Sequence, residues 1–303
     1  CRASIEIVHR LAIPESADER LQREIDTMVP FLERRAQRAD RLVEMRIVTT
    51  VSLERSGHGV RVHAAIDNPA RDHRLRVLLP AGTTAVTHFA DSIFEVAERP
   101  TKPAPEWINP SNCQHQSAFV DVHDGARGLT IANRGLNEYE VMQDGRNTIA
   151  VTLLRAVGEL GDWGVFRTPE AQCPGANEAE WMIIPHAGDD SRFDTYREAY
   201  RFQAPLTAVQ TGWHEGELPT SRSFLDWSGN TIAFSSLKVN EERGDWIARW
   251  YNLSGRPSEL TFSAPSDSNV YVSNVLEDRT TDVVSGNRVD VNGCGILSLG
   301  FER

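Results

Sequence analysis

Several titratable side chains lie close enough in the sequence to suggest chemistry. Asp72, His73 and Arg74 are consecutive in DNPARDHRLR, the residue types of a nucleophile relay. No Ser or Cys accompanies them in a strand–turn–helix elbow. The stretch, with Asn68, therefore reads as a turn held by side-chain hydrogen bonds. His115, Asp121 and His123 form the only clustered histidine–carboxylate set, and could move protons if they converged in an open cleft. His186 in PHAGDD, flanked by Asp189 and Asp190, has the look of a metal ligand, although a structural loop is the simpler reading. Cys1, Cys113, Cys173 and Cys294 are far apart with no CxxC pair. That spacing argues against a zinc knuckle and for reduced thiols in a cytoplasmic protein. Arg155 closes the apolar run TIAVTLL (148–154). A charge at the end of a buried strand must find a partner or face a cleft.

The elements that position these groups are mostly strands. Asp124-Gly125 and Asp144-Gly145 each sit between strand-like runs. Asp-Gly is a strong hairpin signal, because glycine supplies the positive φ of a tight turn without strain. The stretch from Gln114 to Leu160 thus reads as an antiparallel meander whose last strand is buried on both faces. Short strand patterns recur from Ile47 onward and again beyond Phe224, with Asn and Gly turns between them. Two interruptions are helical. Leu21, Ile25, Met28 and Leu32 make an amphipathic stripe, with Ser16 and Glu19 as a capping box. Pro30 splits it, which predicts a second helix from Leu32 to about Arg41. The second interruption, Asp190 to Gln203, sets Phe193, Tyr196, Arg197 and Tyr200 at helical spacing and predicts one short helix. TKPAPEWINP (101–110) carries too many prolines for strand or helix and predicts a loop or an internal boundary. Trp246 and Trp250 share one strand face and predict core positions. Trp107, Trp163, Trp213 and Trp227 fall in or near loops. Arg249 predicts an ion pair with Glu241 or Glu242.

The chain has 303 residues, 40% of them hydrophobic, ample for a packed core. Its 32 basic and 43 acidic residues leave a formal charge of −11, which disfavours nucleic acid and anionic membranes as partners. No apolar run is long enough for a transmembrane helix. The chain begins at Cys1 within a strand-like run, and reads as a piece of a longer protein.

The strings VDVHDGARGLTIANRGLNEYEV, GRNTIAVTLLRAVGEL and TPEAQCPGANEAEWMIIPHAGD, with AAIDNPARDHRLRVLLP upstream and SSLKVNEERGDWIARWYN downstream, resemble the C-terminal β region of glycoside hydrolase family 38, the retaining α-mannosidases, in their bacterial form. The resemblance spans roughly Thr49 to Leu299. It implies a mainly β fold of stacked antiparallel β-sandwiches, a supersandwich like that of galactose mutarotase, with an N-terminal helical insertion at about 14–42 and one short helix. Domains are expected at 1–100 and 101–303, with the catalytic barrel absent. That barrel would hold the aspartate nucleophile, the acid/base and the zinc, since this chain has no His-x-Asp zinc motif. No catalytic residue, metal ligand or cofactor is therefore expected here, and the piece alone is expected to be inactive. The resemblance further implies an α-mannoside substrate acting through the parent enzyme, the chain's own N-terminal barrel as partner, and homo-oligomers. Loops of this region close one side of the sugar site in the family, which makes Glu138, Tyr139 and Arg155 the candidate substrate-binding residues. Glu138 and Tyr139 would bond a mannose hydroxyl, and Arg155 would orient a carboxylate of the barrel. The plainer alternative buries Tyr139 and pairs Arg155 with Glu138 or Glu140. Competing functions are a free-standing carbohydrate-binding module, with an exposed tryptophan pair, and a mutarotase-like or lyase-like enzyme built on His115, Asp121 and His123.

Overall fold

A computed structural model describes residues 1–107, 112–160, 166–188, 191–263, 268–281, 284 and 286–302. The chain is mainly β and falls into two units: Cys1–Ala90 with Glu98–Gln203, and Asp91–Ala97 with Ala204–Arg303.

The first part of the chain runs through β1 (Arg2–Pro14), α1 (Glu19–Asp26), β2 (Leu42–Glu54), β3 (Val60–Asn68), β4 (His73–Pro80), β5 (Thr87–Ser92), β6 (Glu95–Pro100), β7 (Cys113–His115), β8 (Phe119–His123), β9 (Gly128–Arg134), β10 (Glu138–Val141) and β11 (Thr148–Ala156). It continues through β12 (Glu159–Leu160), β13 (Phe166–Arg167), β14 (Gly175–His186) and α2 (Arg192–Gln203). Eight strands form one antiparallel sheet in the order β1-β2-β3-β14-β9-β8-β5-β6, and four form another in the order β4-β11-β10-β7. The two pack face to face. Ile47, Val62, Ile66, Val120, Ile131 and Trp181 of the large sheet share one core with Tyr139, Val141, Ile149 and Val151 of the small one.

Both Asp-Gly turns form. Gly125 and Gly145 have φ of 85° and 75°, and the preceding aspartates cap the turns. Asp124 Oδ1 accepts from the Ala126 and Arg127 amides at 3.0 Å, and Asp144 Oδ1 accepts from Arg146 N at 3.0 Å. The expected meander is nevertheless two hairpins. β8–β9 belongs to the large sheet and β10–β11 to the small one, so the chain changes sheets between Arg134 and Glu138. Local alternation cannot distinguish these outcomes, because both give the same period of two.

The helical insertion is shorter than the sequence predicts. Asp18, not Ser16, caps α1, accepting from Arg20 N at 3.0 Å. Beyond Pro30 only a 3₁₀ turn forms at Phe31–Glu33. The reason is electrostatic. Glu24 is buried and receives the Arg35 and Ala36 amides at 2.9–3.1 Å, which ties that segment down as extended chain. The division into units also differs from the expected boundary near residue 100. The large sheet draws strands from both sides of TKPAPEWINP, so that stretch is a connection inside the first unit, and the chain divides after Gln203.

The second unit carries β15 (Trp227–Ser228), β16 (Ile232–Val239), β17 (Trp246–Asn252), β18 (Ser258–Phe262), β19 (Val270–Ser273), β20 (Arg288–Val291) and β21 (Ile296–Phe301). Sheets β16-β17-β21-β19 and β15-β18-β20 close on a core of Ile232, Trp250, Leu260, Phe262, Leu299 and Phe301. Trp250 is fully buried, as its spacing predicts. Arg249 donates to Ser298 Oγ and the Val275 carbonyl, each at 2.9 Å, rather than to Glu241 or Glu242.

Gly300 sits in β21 between Ile247 and Tyr271, and a Cβ there would fall within the Tyr271 ring. Tyr271 is buried and its hydroxyl donates to Asp245 Oδ2 at 2.7 Å, so the ring has nowhere to go. Gly300→Ala is expected to destabilise the protein by about 1–3 kcal/mol, read as a lowered urea midpoint with an unchanged m-value.

Candidate functional site

The strand β10 alternates, and this decides what its side chains do. Glu138 and Glu140 point to the outer face of the small sheet, while Tyr139 and Val141 enter the core. On the outer face Glu138 meets three partners. Arg155 Nη2 donates to both carboxylate oxygens at 2.5 and 2.6 Å. Thr152 Oγ1 donates at 2.6 Å and Arg74 Nη1 at 3.3 Å. Glu140 pairs with Arg76 at 2.5 Å and Arg74 at 3.5 Å. Burial pulls the Glu138 pKa up, but the Arg155 and Thr152 hydrogen bonds and the charges of Arg155 and Arg74 outweigh it, and the net shift is downward. A general acid needs the opposite, a carboxyl held neutral. This face can therefore orient a polar ligand, but Glu138 is not built to protonate one.

The structure separates two residues that the sequence groups together. Tyr139 is 1% exposed. Its hydroxyl lies 2.7 Å from His88 Nε2 and accepts from Arg99 Nη1 at 3.1 Å. The phenol is thus a support for Arg99 and has no direct access to a sugar. Glu138 and Arg155 do come together, as the plainer reading of the sequence has it. Arg99 and His88 escaped the sequence reading; the available signal was the placement of Arg99 and Lys102 beside Trp107 in the proline-rich segment.

The histidine–carboxylate set does not converge in a cleft. His115 lies on β7 beside Arg99. Asp121 is fully buried, where it accepts from Thr130 Oγ1 at 3.1 Å and from Tyr196 Oη at 2.9 Å, with His186 Nε2 at 2.8 Å. His123 Nε2 is farther, at 3.9 Å. A buried carboxylate with this many partners is a fastening between β8, β9, β14 and α2. His186 spends its other nitrogen on the Gly188 carbonyl at 3.2 Å, so neither is left for a metal. Asp189 and Asp190 lie outside the described residues, as does Trp163. Gly128 pairs with His186 in register, and any Cβ there would strike the imidazole.

Asp72 is no relay member either. It has φ of 56°, its carboxylate accepts from Gln172 Nε2 at 2.6 Å and Ala17 N at 3.2 Å, and its amide donates to Gln172 Oε1 at 2.9 Å. Asn68 donates to the Gln172 and Cys173 carbonyls. The stretch is a turn held by side chains. Among the described residues no group of three or more His, Cys, Asp or Glu side chains is arranged to hold a metal ion, and no helix is long and apolar enough to cross a membrane.

Comparison with known proteins places both units. Residues 11–160 match the family model "Glycosyl hydrolases family 38 C-terminal domain", and residues 231–299 match "Glycosyl hydrolases family 38 C-terminal beta sandwich domain". A putative mannosylglycerate hydrolase of Halalkalibacterium halodurans is 38% identical over 99% of this chain and 33% of its own length. The crystal structure of an α-mannosidase from Enterococcus faecalis V583 superposes with a TM-score of 0.93 at 40% identity, over 99% of this chain and 34% of that one. A second E. faecalis structure, of a glycosyl hydrolase family 38 protein, gives 0.90 at 39% identity over 99% and 35%. The chain thus spans about a third of the length of these relatives.

Two buried histidines set opposite pH dependences. Burial lowers the His186 pKa, but its bonds and charge attraction to Asp121 outweigh that and raise it. Its stabilisation is full below the ordinary histidine value of about 6.5 and is lost as pH rises through the folded pKa. His88 is pushed down to about 4, first by burial and then by the Arg99 charge, so its stabilisation is lost as pH falls from about 6.5 towards 4. His186→Gln is expected to flatten the fall in urea midpoint above pH 6.5, and His88→Gln the fall below it.

Proposed function

Because the chain belongs to glycoside hydrolase family 38, as its C-terminal β region, we propose that it is the non-catalytic part of a retaining α-mannosidase that releases terminal α-D-mannosyl groups in glycan catabolism. The observation that carries this reading is the superposition of 99% of this chain on 34% of the E. faecalis α-mannosidase. A retaining glycosidase needs two carboxyl groups about 5 Å apart, one nucleophilic and one held protonated. Here Glu138 and Glu140 are each bound by arginines, and Glu138 is held below the usual range. The pair suits orientation rather than acid–base work. In this reading the nucleophile, the acid/base and the zinc, whose positive charge would polarise the sugar oxygens, belong to an α/β barrel of the parent protein.

The chain contributes a wall. Arg155, fixed by Glu138, whose carboxylate Thr152 also holds, borders the sugar site and orients a carboxylate of the barrel, with Glu138 as its positioning residue. Tyr139 acts through Arg99. β1 supports a large covered surface: it is the edge of the eight-stranded sheet and exposes Ile5, Ile7, Val8 and Leu11. A long apolar edge of this kind needs a cover, and the barrel or a second copy of the chain would supply one. The four cysteines are free, which supports a reducing, cytoplasmic location. Mannosylglycerate, a mannosyl group joined to a small carboxylic acid, is the narrower substrate favoured by the name of the Halalkalibacterium relative.

The first test assays this chain, with zinc supplied, against an aryl α-mannoside and measures its metal content. Neither turnover nor stoichiometric zinc is expected. Turnover abolished by replacing a carboxylate within this chain would overturn the reading. In the enzyme carrying the further length of its relatives, Arg155→Gln is expected to lower kcat/KM by roughly ten- to a hundredfold, the range for a lost charge-assisted hydrogen bond.

A further inference from the structure

A second feature of the first unit adjoins the wall just described and shares Glu138 and Arg99 with it. A cleft of about 740 Å³ opens beside β7, lined by Arg99, Lys102, Trp107, Gln114, His115 and Glu138 among others. Its size suits one or two sugar rings. The proline-rich connection forms one side. Prolines fix φ and lower the entropy lost on ordering, and a backbone bond from Trp107 N to the Ala104 carbonyl at 3.1 Å closes the turn. The connection thereby holds Trp107 in place with its side chain 60% exposed. A large aromatic fixed in the open, at the mouth of this cleft, offers an apolar face for a pyranose ring.

The floor carries positive charge without a matching anion. Arg99 Nη1 donates to the His115 carbonyl at 2.6 Å and to the Tyr139 hydroxyl at 3.1 Å, and Nη2 donates to His115 Nε2 at 3.3 Å. These bonds use three of the five guanidinium protons. Two protons are left, enough for the oxygens of a carboxylate. Neither Arg99 nor Lys102 has a carboxylate partner among the described residues. The acid lining the cleft, Glu138, is taken by Arg155 and Arg74. Two such cations lie beside an exposed tryptophan in a chain with a formal charge of −11.

We propose that this cleft binds a saccharide bearing a carboxylate, with the acid on the free protons of Arg99 and on Lys102, and the sugar face on Trp107. Only the choice of mannose as the sugar rests on the function proposed above. The anion site stands on the cleft itself.

Isothermal titration of this chain with three probes tests the proposal. Methyl α-D-mannuronoside carries the acid on the ring, 2-O-α-D-mannosyl-D-glycerate carries it on the substituent, and methyl α-D-mannoside is neutral. At least one acid is expected to bind saturably and at least roughly tenfold more tightly than the neutral sugar, with affinity falling as salt rises. The better of the two acids identifies where the carboxylate lies. Lys102→Gln removes no contact seen in the fold, and should weaken that acid about fivefold or more without altering Tm. Arg99→Gln should weaken it by at least roughly tenfold. Equal binding of acid and neutral sugar, no saturable binding of either acid up to about 20 mM, or undiminished affinity in both variants would overturn the proposal. None of these results bears on turnover by the longer enzyme, which tests the function separately.

Discussion

The period of two in β10 governs both candidate surfaces. Successive side chains on a strand must leave on opposite faces, so placing Tyr139 in the core forces Glu138 and Glu140 outward. The outward pair collects Arg74, Arg76 and Arg155 from β4 and β11. The inward phenol reaches His88 and, past the sheet edge, holds Arg99. One strand of four residues thus fixes an arginine network on one side and the floor of the Trp107 cleft on the other. A one-residue slip would invert both at once.

What keeps the network in register is compensation rather than attraction alone. A half-buried ion pair gains little net stability, because each charge loses water on pairing. Removing one member is another matter, since the rest are left desolvated without partners. Glu138 answers two guanidiniums and a hydroxyl, and Arg74 answers two carboxylates, so the group persists as a unit. Asp121 shows the same logic at greater depth. It is fully buried and satisfied by residues from β9, β14 and α2, which pins the helix to the sheet. The side chains that look most catalytic in the sequence, Asp121 and His186, are consumed by this fastening.

Much of the fold was legible in the sequence, and for identifiable reasons. Asp124-Gly125 and Asp144-Gly145 dictate their turns locally, through a positive φ and a capping carboxylate, so they read correctly without tertiary knowledge. Trp250, at even spacing in an apolar strand, likewise went to the core. The departures have separate causes. The stripe beyond Pro30 has helical spacing, yet the carboxylate of Glu24 captures that backbone before a helix can form. The boundary near residue 100 was read from composition, but a loop rich in proline can join two strands of one sheet as readily as two domains. Tyr139 was grouped with Glu138 because they are adjacent in RGLNEYEV, although adjacency on a strand means opposite faces.

The same argument separates the two surfaces chemically. The outer face of the small sheet is charge-balanced: its carboxylates and guanidiniums meet one another, and a neutral hydroxyl could exchange into that network at little electrostatic cost. The Trp107 cleft is unbalanced, because Arg99 is anchored by a carbonyl, a phenol and an imidazole nitrogen rather than by carboxylates. Such anchors hold a guanidinium in place without cancelling its charge. A cation that is positioned and still uncompensated favours an anionic ligand over a neutral one, since the anion supplies the missing charge and meets a fork already oriented.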